Sequence, residues 1–360
     1  MSLDSFVTLG RSALRVSPLT LGTMTFGEDW GWGADPAHST NILAHYLDRG
    51  GNSIDTANIY TNGHSEKIIG DYFAGSPSKR DRVVLGTKFF ASLHPGDPNG
   101  GGAGRKAMIH QLEDSLRRLQ TDYVDIYWLH NWDKYSPIDE TLRSLDDLVR
   151  SGKVRYIGVS DLPAWKTAEA SVLSHFRGWT PVIALQLEYS LLERTIEGEH
   201  VPMAHSMEMA IMPWSPLKNG FLSGKYKKAQ GAPLDAARAA LTGMPSEGDY
   251  EVIDVLHQIA VEVEASPAAV ALAWLRAKPA VSSILVGARR KEQFIENLAA
   301  LDVHLNNDQV ARLDAVSTPT LNFPAHVLET GTPMLGYGGT KINGVQTRLW
   351  PMLESSMIRY

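Results

Sequence analysis

Apolar residues along this chain gather into short runs, separated by stretches with helical spacing, and the alternation repeats eight times. The strand-like runs are Leu19–Gly22, Ser53–Asp55, Val83–Thr87, Val124–Leu129, Tyr156–Val159, Ile183–Leu187, Met209–Met212 and Ser283–Val286. Between them, apolar residues at spacings of three and four predict helices over 36–49, 65–73, 106–119, 138–151 and 164–176. Pro36 after Asp35 and Pro163 before Ala164 suit first helical turns, and Gly50, Gly51 and Gly152 suit helix ends. Eight alternations predict a single α/β domain over 1–360, a (β/α)8 TIM barrel with its strands in 19–300. Ahead of the barrel, residues 6–17 alternate around Gly10-Arg11-Ser12 and predict a β-hairpin on the barrel floor. An extra helix at 306–317 and a tail at 318–360 follow it.

Two connections break the rhythm. Residues 92–104 and 217–249 are rich in Gly, Pro and polar residues, and both follow strand ends, so both are expected at the mouth of the barrel, as long loops that cover a site. The tail carries Leu321, Phe323, Met334, Leu335, Tyr337, Leu349, Trp350 and Met352, enough apolar surface to predict that it docks. Its docking place stays open between the mouth, where the stretch from Thr318 to about Tyr337 would border the substrate, the side of the barrel and a second subunit.

Composition narrows the partners. A net charge of −6 offers no basic field for nucleic acid, and the chain has no cysteine for disulfides or thiolate metal sites. No run approaches the length of a membrane helix, and the amino terminus lacks the marks of a secretory signal, so a soluble cytoplasmic protein is expected, monomeric or homo-oligomeric. Twelve histidines include no His-Glu-x-x-His helix, and no metal is expected. Gly102-Ala103-Gly104-Arg105-Lys106-Ala107 fits a dinucleotide fingerprint only in spelling, since no strand ends directly before it. Gly220 to Lys225 has too few residues for a phosphate-binding loop, and Tyr337 and Lys341 have a reductase spacing but lie in the tail.

Candidate chemistry sits where three successive strands end. Asp55 closes one, with Tyr60 in the loop after it; Lys88 and His130 follow the next two. The carboxyl ends of barrel strands open on one face, so these four side chains are expected to converge there. A free phenol titrates near 10, and a lysine ammonium beside Tyr60 is expected to lower that value while Asp55 holds the lysine charged. His130 would donate a hydrogen bond to a reacting carbonyl oxygen. Such a group interconverts a carbonyl and an alcohol.

The chain resembles the aldo-keto reductase superfamily from Leu9-Gly10 to about Val316. The resemblance is carried by LGRSALRVSPLTLGTMTFG, DTANIY, the GTK strand end, DYVDIYWLHNWD, GKVRYIGVS, PWSPL and GARRKEQFIENL, in that order. It implies a catalytic tetrad of Asp55, Tyr60, Lys88 and His130, with Tyr60 as acid and base, and an extended nicotinamide dinucleotide across the mouth. Ser160, Asp161 and Gln186 would hold the carboxamide and Trp214 would stack on the nicotinamide. Asp161 stands where the family usually has Asn, and Trp214 where it usually has Tyr. Ser215, Leu217 and Lys225 would meet the pyrophosphate, and Arg289, Gln293, Glu296 and Asn297 the adenosine end. The cations Arg289-Arg290-Lys291 at a helix start favour NADPH over NADH. Trp30, Trp32 and Trp132 are candidates for an aromatic wall, suited to an apolar or cyclic carbonyl, such as a sugar, an aromatic aldehyde or a polycyclic ketone. The expected activity is reversible NADPH-dependent reduction of an aldehyde or ketone, such as a sugar or a bulky cyclic ketone, to the alcohol. The alternative is a regulatory or redox-sensing protein resembling the potassium-channel β subunits, which bind cofactor on the same fold.

Overall fold

The computed structural model describes residues 1–225 and 246–354. Strands β1 (Val7–Thr8) and β2 (Arg15–Val16) pair antiparallel as the expected hairpin. Eight parallel strands follow: β3 (Leu19–Gly22), β4 (Ser53–Asp55), β5 (Val84–Phe89), β6 (Val124–Leu129), β7 (Val154–Ser160), β8 (Val182–Glu188), β9 (Ala210–Trp214) and β10 (Ile284–Val286). They run in chain order from β3 to β9, with β10 beside β3. The remaining seam is drawn together where Ile211 N donates to Ala280 O (2.8 Å) and Ser282 N to Ile211 O (3.0 Å). The fold is the (β/α)8 barrel that the alternation predicts.

Two apolar cores hold it. One lies between strands and outer helices, where both faces of each strand are covered and near-continuous apolar runs are therefore favourable. The other fills the barrel floor with Leu9, Val16, Val84, Ile126, Trp128 and Ile183. Trp128 fits because glycines face it: a Cβ on Gly158 would lie 2.2 Å from its ring and one on Gly86 2.9 Å from its Nε1. The hairpin closes the floor from below. Gly10, at φ +56°, approaches so closely that a Cβ would fall 2.2 Å from Ile183 O.

Local signals set the helix starts. Asp35 accepts from His38 N ahead of Pro36–Asp48, and Ser246 and Asn306 form capping boxes with Asp249 and Gln309. The helix Asn307–Val316 stands where an extra helix is expected. Three helices, His200–Ser206, Glu247–Glu262 and Pro267–Arg276, are not among the predicted helical stretches, although Glu247–Glu262 carries a regular stripe of Val252, Leu256 and Ile259. In the last of these every residue from Ala268 to Leu275 is buried, so no polar face marks its period.

Three expectations need correction. β5 runs on to Phe89, so Lys88 stands inside the strand and not after it. The second long connection is shorter than 217–249: residues 218–223 form a 3-10 turn and a helix begins at Glu247, while 226–245 lie outside the described residues. Among the described residues, the tail does not bury its apolar side chains. Phe323 is 85% exposed and Leu328, Leu335 and Met352 are also exposed, because helices of four to six residues and a two-residue-per-strand hairpin are too short to present a continuous apolar face. Its first residues do lie beside the loop after β8, where a Cβ built on Gly198 would fall 3.5 Å from the Leu321 side chain.

Candidate active site

Backbone pairing brings the four ionisable residues to one face. Asp55 is in register with Gly86 of β5, and Asn58 N donates to Lys88 O (3.2 Å), so the chain after β4 runs on beside β5 as far as the turn Tyr60–Gly63. Lys88 is in register with Trp128, and His130 N donates to Phe89 O (3.1 Å). The turn that aims Tyr60 is strained. Thr61, Asn62 and Gly63 all have positive φ, and a β-branched residue there is a genuine outlier. It is held by Thr61 Oγ1 donating to Phe26 O (2.7 Å) and by Trp30 Nε1 donating to Asn62 Oδ1 (3.2 Å).

Lys88 Nζ is the hub. It donates to Asp55 Oδ2, to Thr56 O (2.9 Å) and to Tyr60 OH (3.0 Å), spending its three protons on three acceptors. The other oxygen of Asp55 accepts from Gln186 Nε2 at 2.6 Å. Desolvation opposes the charge on Lys88, but Asp55 and Tyr60 more than offset it and its pKa is raised. Burial also lifts the Asp55 carboxyl above its usual value, against the pull of Lys88 and Gln186.

Tyr60 differs from expectation. Burial raises its phenol pKa, Lys88 pulls it down, and Asp55 behind the lysine cancels part of that pull. The phenol is thus held protonated, as a proton donor would be, and not poised as a phenolate. His130 sets its ring edge-on to Tyr60, with centroids 6.0 Å apart. Burial, and then the Lys88 charge, push its pKa down to about 3, leaving a neutral imidazole able to donate one hydrogen bond.

Ser160, Gln186 and Trp214 stand at the carboxyl ends of β7, β8 and β9, with Asp161 directly after β7. The two residues that depart from the usual pattern meet each other. Trp214 Nε1 donates to Asp161 Oδ1 (3.0 Å), and Ser160 Oγ donates to Asp161 Oδ2 (3.2 Å). Desolvation in the mouth raises the Asp161 carboxyl pKa against those two bonds. Ser215, at φ +50°, accepts from Lys218 N (2.8 Å) through its carbonyl and from Asn219 N (3.2 Å) through Oγ, and Leu217 O accepts from Gly220 N (2.9 Å). Sequence reasoning missed Glu188 and Lys218, which join the end of β8 to the loop after β9 at 2.7 Å. The signal for Glu188 was its place two residues after Gln186, on the same face of one strand.

At the far end, Arg289, Arg290 and Lys291 open the helix Lys291–Leu298. Lys225 Nζ and Arg290 Nη2 both face the Gln293 side chain, whose oxygen turned toward them accepts at 3.2 and 3.3 Å. Asn297 is buried on the same helix and Glu296 is exposed. Of the three tryptophans, Trp30 meets Tyr60 edge-on at 6.5 Å and Trp32 at 5.7 Å from Trp30 extends that surface. Trp132 packs instead against Trp165 at 5.6 Å. A cleft of about 300 Å³ beside Asp161, lined also by Leu162, Leu187, Glu188 and His200, opens between the loops after β7 and β8.

The model of the aldo/keto reductase family matches residues 18–318. The chain belongs to the aldo/keto reductase family. It is 36% identical over 320 residues to the uncharacterized oxidoreductase YrpG of Bacillus subtilis (strain 168), covering 86% of this chain and 95% of that one. It is 33% identical over 335 residues to the aryl-alcohol dehydrogenase GME11368 of Pestalotiopsis microspora, covering 91% and 84%. It is 34% identical over 322 residues to a protein of Oryza sativa subsp. japonica named "Probable voltage-gated potassium channel subunit beta", covering 86% and 96%. Membership makes the chain an oxidoreductase, in a family that generally works with NAD(P)H. The residues present suit such a group: amide, hydroxyl and aromatic side chains at the ends of β7 to β9 suit a nicotinamide, and cations at a helix N-terminus suit phosphate. Among the described residues no single helix is long and apolar enough to cross a membrane.

Proposed function

We propose that this protein uses NADPH to reduce an aromatic or bulky cyclic aldehyde or ketone to its alcohol, reversibly, with Tyr60 delivering the proton. When bound, the reduced nicotinamide supplies a hydride to the carbonyl carbon. The chain's own part is to protonate the carbonyl oxygen and to orient it. The observation that carries the reading is Lys88 Nζ shared between Asp55 and Tyr60 OH. As the proton leaves Tyr60, the phenolate that forms lies against a fixed ammonium, whose charge Asp55 maintains. Gln186 and Thr56 O keep that ion pair in place. Neutral His130 donates a hydrogen bond to the same carbonyl oxygen and brings no competing proton equilibrium near neutrality. Ser160, Gln186 and Trp214 hold the nicotinamide end; Lys225, Arg289 and Gln293 hold the phosphate and adenosine end.

Two things support an aromatic substrate: the Trp30–Trp32 pair next to Tyr60, and the relative named as an aryl-alcohol dehydrogenase. A second reading, a cofactor-binding regulatory subunit, is favoured by the relative named as a channel β subunit. Steady-state turnover on a panel of aryl and aliphatic carbonyls separates the two, since a regulatory subunit binds cofactor and turns over little. Tyr60→Phe tests the chemistry. Reduction should fall by roughly 10²-fold or more, while the fluorescence titration of NADPH barely changes. Reduction persisting near the wild-type rate removes Tyr60 from the proton path.

A further inference from the structure

We propose that His94, His110 and Asp114 form a binding site for one divalent transition-metal ion of the zinc class, outside the catalytic mouth. His110 and Asp114 are four residues apart on the helix Arg105–Leu119, so both project from one face. His94 comes from the loop that follows β5. One ligand atom from each lies within 4.8 Å of the others. Both imidazoles approach the same oxygen: His94 Nε2 is 3.7 Å and His110 Nδ1 3.6 Å from Asp114 Oδ2.

Those distances are too long for hydrogen bonds. They are close to what two ligands of one ion require, since donors about 2.0–2.1 Å from a tetrahedral zinc lie roughly 3.3–3.4 Å apart. The rings meet edge to face, tilted by 62° with centroids 5.7 Å apart, which brings a nitrogen of each to the Asp114 carboxylate. Arg117 takes the other oxygen, Asp114 Oδ1, which fixes the carboxylate and leaves Oδ2 turned toward the two rings. Two imidazoles and one carboxylate oxygen select zinc, cobalt, nickel or copper. Magnesium and calcium require more oxygen ligands than the three residues offer. Three protein ligands leave a position for water.

An ion here would fasten the loop 92–104 to the helix behind it. The far end of that loop is tied by Gly102 N donating to Phe90 O (2.7 Å), Ala103 N to Asp133 Oδ2 (2.9 Å) and Thr141 Oγ1 to Ala103 O (3.0 Å), while His94 itself is exposed. No member of the catalytic group takes part, so the proposal stands or falls separately from the reductase reading.

The test uses the untagged full chain, stripped with a chelator. Zn²⁺ is titrated calorimetrically and Co²⁺ by its visible absorption. One ion per chain is expected, with thermal stabilisation on adding Zn²⁺. His94→Ala and His110→Ala should each weaken binding roughly 10-fold or more and abolish the thermal shift, with metal-free carbonyl turnover unchanged. Since both histidines are exposed, neither variant should unfold. Equal Zn²⁺ affinity in wild type and in the double variant overturns the site, as does the absence of any saturable binding at sub-millimolar ion.

Discussion

Replacing Asp55 by Asn should destabilise the fold and disable the site through the same side chain. Asp55 and Lys88 are almost fully buried, and Lys88 Nζ and Gln186 Nε2 both donate to the carboxylate. An amide offers one oxygen and one NH2 group, so one of those contacts becomes donor facing donor. The variant also leaves the Lys88 ammonium with no counter-charge. Removing one partner of a buried ion pair costs about 3–5 kcal/mol. Over 360 residues, an unfolding entropy of about 2.1 cal/mol/K per residue gives roughly 0.75 kcal/mol per degree, so the melting temperature should fall by about 4–7 °C. The size of the drop should depend on pH. In the variant the lysine is pushed toward its neutral form, so its folded pKa falls below the unfolded value near 10.4. The unfolded chain then binds more protons, stability rises with pH, and the gap from wild type is widest in acid. Wild-type Lys88, whose folded pKa is raised, shows no such slope below the unfolded value; it loses stability only as pH climbs through the folded pKa. Scanning calorimetry between about pH 6 and 9 measures the gap and its slope. Asp55→Asn with Lys88→Met should recover part of the melting temperature, because the double variant leaves no lone charge in the core, although it does leave a buried amide. It should recover none of the turnover. A single variant that melts like wild type at every pH refutes the buried-charge argument.

Three further outcomes follow from the same geometry. Carbonyl reduction should keep its rate into mildly acidic buffer, because His130 titrates only at about 3, and should fall only as pH passes the raised Tyr60 pKa, while alcohol oxidation rises over that alkaline range. An acid limb near neutrality that disappears in His130→Gln would contradict this. Asp161→Asn and Trp214→Tyr should each raise the Kd for cofactor, and the double variant should lose less than the sum, by an interaction energy of about 0.5–3 kcal/mol; strict additivity in a binding cycle would break the link between them. Arg289→Ala should weaken NADPH by roughly 1.5–3 kcal/mol and leave NADH nearly unchanged, and equal losses for both would remove it from phosphate recognition.

The barrel and the convergence of Asp55, Lys88 and Tyr60 were legible because both rest on chain-local signals: apolar runs of strand length, and polar side chains at their carboxyl ends. The parts that stayed hidden depend on separations that no local pattern encodes. Gln186 meets Asp55 across 131 residues, and only the register of the closed barrel brings β8 opposite β4. The direction of the Tyr60 shift was misjudged for a related reason. The lysine was visible in sequence, but desolvation and the Asp55 charge behind it are properties of the packed site. The strain at Thr61 also escaped, since a β-branched residue does not announce positive φ, although Asn62-Gly63 beside it is a turn signal. In the tail, apolar content predicted burial, yet segments of four to six residues leave Phe323 and Leu328 exposed.

Asp161 and Trp214 show how two separate departures from a family pattern become one physical statement. Taken singly, an Asp in place of Asn removes a donor at the position proposed to hold a carboxamide, and a Trp in place of Tyr exchanges a hydroxyl for an indole N–H. An indole nitrogen can only donate, and a carboxylate can only accept. With 3.0 Å between Trp214 Nε1 and Asp161 Oδ1, each residue supplies what the other lacks. The pair also spans the ends of β7 and β9, with Gln186 on β8 between them. The Trp214 ring is thereby tethered at its edge, which limits its rotation and fixes the face that would stack on a nicotinamide in the proposed reading. Changing Asp161 back to Asn alone would restore an amide donor but leave the indole with a weaker, uncharged acceptor. On this argument the two positions are substituted together or at a cost, and cofactor affinity is where that cost is measured.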